Sequence, residues 1–331
     1  MTLDWLRSSL AQLPAADFTS RDAVRDRAEN ILRPSGALQQ LDDVAAWMAG
    51  WQSTVTPSVN KPLAIVFAAD HGVASSGVSA YPTDVTAAML KAYTAGRSTL
   101  SAFAKIAGAQ VIAVDVGVGL PTEDIRDAPA MSPERFDAAL SAGRDAVNRC
   151  DTDLLALGEM GIGNTTSAAA ITAALLGGDT AQWVGRGTGV DDIGLQRKKD
   201  AVAKAVARCA GISDPLEILR QLGGCELAAI SGAIIAARMR KIPVIIDGYV
   251  VTAAALPLFE MNKNALDHCW VGHCSGEPGH RKVLQHLEKP FLLDLNMRLG
   301  EGSGAMAAVP LVAMACAGVT QVPTFQEWFA P

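Results

Sequence analysis

Aromatic side chains are scarce, with Phe, Trp and Tyr making up 5% of the 331 residues. Charged residues reach only 19%, and basic charge does not dominate: 28 Lys and Arg stand against 34 Asp and Glu, a formal net charge of -6. A nucleic-acid binder normally shows a basic surface, so this balance argues against nucleic acid as a partner. It does not exclude a small ligand carrying phosphate. The six cysteines, Cys150, Cys209, Cys225, Cys269, Cys274 and Cys316, form no CxxC pair. A chain this long buries about three quarters of its unfolded surface and needs no disulfide scaffold. Reduced thiols and a cytoplasmic location are expected. Met1–Ala11 holds Asp4 and Arg7 without a long apolar stretch, unlike a signal peptide. The longest apolar runs, Ile242–Phe259 and Ala305–Val319, are interrupted by Asp247 and Gly248 or by Pro310. Neither matches a bilayer span of about 20 apolar residues. Both read as buried core, and no membrane span is expected.

What is abundant is small and apolar. Apolar types make up 50% of the chain and glycine occurs 30 times, which suits close helix-on-sheet packing and glycine-rich ligand loops. Helical spacing is visible over Asp22–Leu32 and Leu38–Met48, broken by Arg33-Pro34-Ser35-Gly36. Short apolar runs at 63–68, 111–117, 154–159 and 243–248 predict buried parallel strands, with weaker strands at 267–273 and 291–297. Between them, helices are predicted over Thr83–Ala107, Pro133–Cys150, Asn164–Leu176, Asp200–Cys209, Glu217–Leu222 and Cys225–Met239, with another over Ala305–Gly318. This alternation specifies an α/β fold, a mostly parallel sheet with helices on both faces. Residues 1–60 and 305–331 are expected to form a small helical domain from both chain ends, and 61–304 a large Rossmann-like domain carrying the active site.

In such folds ligands bind at the carboxyl ends of the strands. Polar residues recur there. Gly158-Glu159-Met160-Gly161-Ile162-Gly163-Asn164-Thr165-Thr166 puts a carboxylate at a strand end, then a helix start whose backbone N–H groups can hold a phosphate. Equally, Asn164 or Thr165 only caps the helix. Arg298-Leu299-Gly300-Glu301-Gly302-Ser303-Gly304 pairs a candidate anion binder, Arg298, with Glu301 beside an apolar run. Glu301 is either a general base of raised pKa or a surface turn residue. Asp70-His71-Gly72 and Asp247-Gly248-Tyr249 are either site residues or ties to a neighbouring loop. The cluster Gln196-Arg197-Lys198-Lys199 is a solvated helix face or supplies a lysine to a phosphate. Gly185-x-Gly187-x-Gly189 has the wrong spacing for a dinucleotide fingerprint, and there is no Walker A lysine, G-x-S-x-G elbow or HExxH. His268, Cys269, His273 and Cys274 do not make a closed four-ligand metal set.

These stretches, in this order and spacing over about residues 30–320, resemble the nicotinate-nucleotide–dimethylbenzimidazole phosphoribosyltransferase family. The resemblance implies a doubly wound sheet, a homodimer and no cofactor or metal. It implies phosphoribosyl transfer from nicotinate mononucleotide to 5,6-dimethylbenzimidazole, with inversion at C1′. The family's catalytic base falls on Glu301, its second active-site glutamate on Glu159, its phosphate-contacting residues on Arg298 and Lys198, and a further site residue on Ser275 of Ser275-Gly276-Glu277. Gly161, Gly163, Asn164, Thr165, Asp247, Gly248, Gly300, Gly302, Asp70 and His71 complete the expected substrate site. Two positions depart: Tyr81 stands for the family's base-pocket serine and Met89 for its glutamine. The segment Val118–Pro129 is shorter than the family pattern. Transfer to a different base or a phenol, or a non-catalytic partner subunit, stand as the alternatives.

Overall fold

The computed structural model describes residues 2–330; the expectations that reach Met1 and Pro331 lie, at those two residues, outside it. Six parallel strands form one sheet: β1 (Pro62–Ala69), β2 (Gln110–Gly117), β3 (Leu154–Met160), β4 (Val244–Ile246), β5 (Cys269–His273) and β6 (Phe291–Leu293). Their order is β2-β1-β3-β4-β5-β6. The chain runs from β1 outward to β2, returns past β1 to β3 and continues to β6. That reversal is the switch point where open α/β sheets leave a crevice.

The helices are α1 (Thr2–Ala11), α2 (Phe18–Asn30), α3 (Gln39–Gln52), α4 (Asp84–Thr94), α5 (Thr99–Ala107), α6 (Pro133–Asn148), α7 (Asn164–Leu176), α8 (Asp192–Arg208), α9 (Pro215–Leu222), α10 (Cys225–Met239), α11 (Tyr249–Met261), α12 (His280–His286), α13 (Ser303–Thr320) and α14 (Phe325–Phe329). They cover both faces of the sheet. β1 shows why its sequence is an unbroken apolar run: Leu63, Ile65, Phe67 and Ala69 enter a core with α6, α7, α9, α10 and α11, while Ala64, Val66 and Ala68 enter a second core with α3, α5 and α13. The predicted helix over Thr83–Ala107 is two helices. Its chain breaks after α4, and Ser98 accepts from Ser101 N to start α5. α1, α11 and α12 are helices that periodicity did not single out. α11 follows β4 within one apolar stretch, where only Asp247-Gly248 marks the change and the helix itself has no polar face.

α13 is long and apolar enough to cross a membrane by length and composition alone, but 56% of it is buried in the fold. Ala305, Met306, Val309 and Val312 lie in the same core as Ala64 and Val66 of β1. The two chain ends meet. Ile31 pairs with Thr324, and Arg27 donates to Val319 O at 2.9 Å and pairs with Glu327 at 3.0 Å.

Candidate active site

A cavity of about 610 Å³ opens above the carboxyl ends of β3, β4 and β5. Each edge of it comes from a strand end or the loop behind one. β3 supplies Glu159 and Met160, the turn after it Gly161 and Ile162, and the start of α7 Asn164 and Thr165. Gly248 follows β4, Ser275 follows β5, and Arg298, Leu299, Gly300 and Glu301 lie between β6 and α13. Tyr81, Val85 and Met89, at and before α4, form an apolar wall.

Arg298 lines the cavity, whereas Lys198 lies buried behind the lining. Lys198, buried on α8, donates to Thr165 Oγ1 at 2.8 Å, and Arg298 donates to Gly187 O at 3.2 Å. Gly187 brings the two together, since a Cβ there would lie 2.9 Å from Lys198 Nζ. Two cations beside the N-terminus of α7 are suited to an anion, and Glu277 on the same lining adds one negative charge. Burial lowers the pKa of Lys198 to about 8, against the pull of Glu277.

Two buried glutamates line the same cavity. Burial raises the carboxyl of Glu159 well above its usual range, reinforced by Asp247 and Glu226, although Asn164 Nδ2 donates to it. Burial also raises Glu301, and Asp247 adds to it, while the Tyr93 hydroxyl opposes. Glu301 has φ 65°, the left-handed region, and its Oε2 has no hydrogen-bond partner. A partly desolvated carboxylate on the lining of a cavity is suited to accept a proton.

Other expected site residues sit elsewhere. Asp70 does not line the cavity: its Oδ2 accepts from Gly119 N at 2.7 Å, tying down the loop after β2. His71 is buried between Ser167 Oγ at 3.1 Å and Glu226 Oε1 at 2.5 Å, under the turn after β3. A polar residue at a strand end has these loop-holding uses as well as chemical ones. Asp247 lies behind the lining rather than in it, accepting from Gly302 N and Ala305 N. Gly163 and Gly302 shape turns without lining the space. Sequence reasoning passes over Val85, Thr188 and Val250, which line the cavity, and quotes Gly187, Glu277, His273 and Tyr249 only within longer stretches without choosing them as site residues. Gly185-x-Gly187-x-Gly189 is the available signal, although it fits no dinucleotide pattern. Among the described residues no group of three His, Cys, Asp or Glu side chains is arranged to hold a metal.

A family model described as phosphoribosyltransferase matches residues 13–328. Proteins named nicotinate-nucleotide–dimethylbenzimidazole phosphoribosyltransferase are similar over nearly the full length. That of Mesorhizobium japonicum is 47% identical over 327 residues, 98% of this chain and 97% of its own. That of Methylocella silvestris is 47% identical over 326 residues, 98% of this chain and 95% of its own. The crystal structure of CobT from Thermus thermophilus superposes with a TM-score of 0.90 at 42% identity, covering 94% of this chain and 98% of that one.

Proposed function

The chain belongs to the phosphoribosyltransferase family whose model spans it, and on that premise we propose that it moves the phosphoribosyl group of nicotinate mononucleotide onto 5,6-dimethylbenzimidazole. The products are α-ribazole 5′-phosphate and nicotinate. A lone pair on one benzimidazole nitrogen attacks C1′ from the face opposite the leaving group, so configuration inverts. The C1′–N bond breaks and its electron pair neutralises the departing pyridinium, which needs no general acid. The cation left on the benzimidazole loses its remaining N–H proton, and Glu301 accepts it. Glu159 stands for the group that offsets oxocarbenium charge at C1′; the pyridinium of the bound substrate favours its ionised form. Arg298, Lys198, Thr165 and the start of α7 hold the 5′-phosphate and make the attack effectively intramolecular. The same reading includes a homodimer and a cytoplasmic location.

The observation that carries this reading is one cavity whose lining brings Glu159 and Glu301 together with Arg298 and with the apolar wall side chains Val85 and Met89. Met89 belongs to that wall, and Tyr81, 52% exposed, stands at its rim. Such a wall favours flat, weakly polar rings. Adenine would bury an exocyclic amine without a partner, at about 1–3 kcal/mol, or roughly 5- to 150-fold in affinity. The test is mass analysis of products from nicotinate mononucleotide with equal dimethylbenzimidazole, adenine and phenol. Dimethylbenzimidazole is expected to win. Adenine or phenol winning overturns the acceptor while keeping the transfer; no transfer to any base overturns the activity.

A further inference from the structure

We propose that Asp247 is a positioning residue rather than a substrate contact: from the end of β4 its carboxylate holds the Gly300–Ala305 turn so that Glu301 stands in the cavity. The inference rests on the reading of Glu301 as the base. Asp247 is buried and does not line the cavity. Its Oδ2 accepts from Gly302 N at 3.2 Å and its Oδ1 from Ala305 N at 2.8 Å, reaching across 58 residues of sequence to do so. Gly302 directly follows Glu301 and caps α13, and Ala305 lies in the first turn of that helix. Glu301 needs such restraint, because a left-handed backbone at a residue with a Cβ persists only where its surroundings enforce it. The turn is clamped from its other side as well. A Cβ on Gly158 of β3 would lie 2.6 Å from Gly302 N, and Ser303 N donates to Gly300 O at 3.0 Å. His273, from β5, places Nε2 3.5 Å from Asp247 Oδ1 and has no other polar partner for either ring nitrogen. Burial alone would raise the carboxyl of Asp247, but His273 and the N–H groups of Ala305 and Gly248 outweigh it and hold Asp247 below the usual carboxylate range. An ionised Asp247 can accept from both N–H groups at once.

The test is Asp247→Asn, measured beside Glu301→Gln and the double variant. An asparagine presents one acceptor and one donor to two N–H groups, so one contact becomes repulsive. The expected result is a kcat loss of about 10²-fold, the size that a small misplacement of a reacting group produces, with KM for nicotinate mononucleotide within about threefold of wild type. Because Asp247 acts through Glu301, adding Asp247→Asn to Glu301→Gln should cost less than about threefold further. A pH profile gives an independent readout. The groups facing Glu301 are Asp247, Glu159 and Tyr93, and those facing Asp247 are His273, His280, Glu159 and Glu301. Removing the charge of Asp247 lowers the pKa of Glu301, so the acid limb of kcat moves to lower pH. Wild-type kcat in Asp247→Asn, a raised KM with kcat kept, or the full penalty persisting in the Glu301→Gln background overturns the inference. Near-wild-type turnover in Glu301→Gln overturns the underlying reading instead, so the two failures are distinct. If Asp247→Asn does not fold, Ser303→Ala removes the Ser303 Oγ–Gly300 O bond from the same turn. It should lower kcat about fivefold at unchanged KM, and an unchanged kcat then overturns the inference.

Discussion

Lys198 is a cation that burial makes titratable near the working range. With its pKa lowered to about 8, it is charged at neutral pH and loses its proton as pH rises through that value. KM for nicotinate mononucleotide is therefore expected to climb above about pH 8, and Lys198→Met should raise KM at all pH and remove the climb. A nucleoside lacking the phosphate should show neither effect. A flat wild-type KM between about pH 7 and 9.5 would contradict the assignment of Lys198 to the phosphate. At this scale the sequence made Glu159, Arg298 and Glu301 legible because each stands in a glycine-flanked turn beside an apolar run. Tyr93 was not legible: it lies on the inner face of α4, and only the fold brings it near Glu301. Asp70 and Asp247 were legible as strand-end acids, but spacing alone does not say whether such an acid faces a ligand or ties a loop, and both turn out to tie loops.

α6 and α10 pack backbone to backbone, at Gly143 against Ala229 O and at Gly232 against Leu140 O. A methyl at either position would overlap a carbonyl that cannot rotate away, and overpacking of this kind typically costs about 1–3 kcal/mol. Gly232→Ala should lower the urea midpoint while leaving kcat per folded molecule unchanged. An unaltered midpoint would show that α10 can shift along the sheet. β1, β3 and β4 were readable as short apolar runs because a parallel strand buried on both faces leaves little else to write, whereas β6, a partly exposed edge strand of three residues, left only a weak run. The helices fared unevenly. α7 and α10 begin and end as read, but α11 was hidden because it is apolar on every side, with all of Tyr249–Leu258 buried, and so has no polar face to reveal a period. The split between α4 and α5 had a local signal, the Gly96-Arg97-Ser98 break with its serine cap, that a long apolar pattern overrode.

Across the whole molecule, parallel strands send their carboxyl ends to one edge, and this brings Glu159, Ser275, Arg298 and Glu301 into a single cavity from distant parts of the chain. We propose a direct, inverting displacement at C1′ with Glu301 as base. It is tested most directly by proton NMR of the ribosyl product made from nicotinate mononucleotide and 5,6-dimethylbenzimidazole. The account predicts the α anomer with nicotinate released in equal amount, and a Glu301→Gln variant that forms it about 10²- to 10⁴-fold more slowly. A β-configured product, or ribose 5-phosphate from hydrolysis alone, would contradict it.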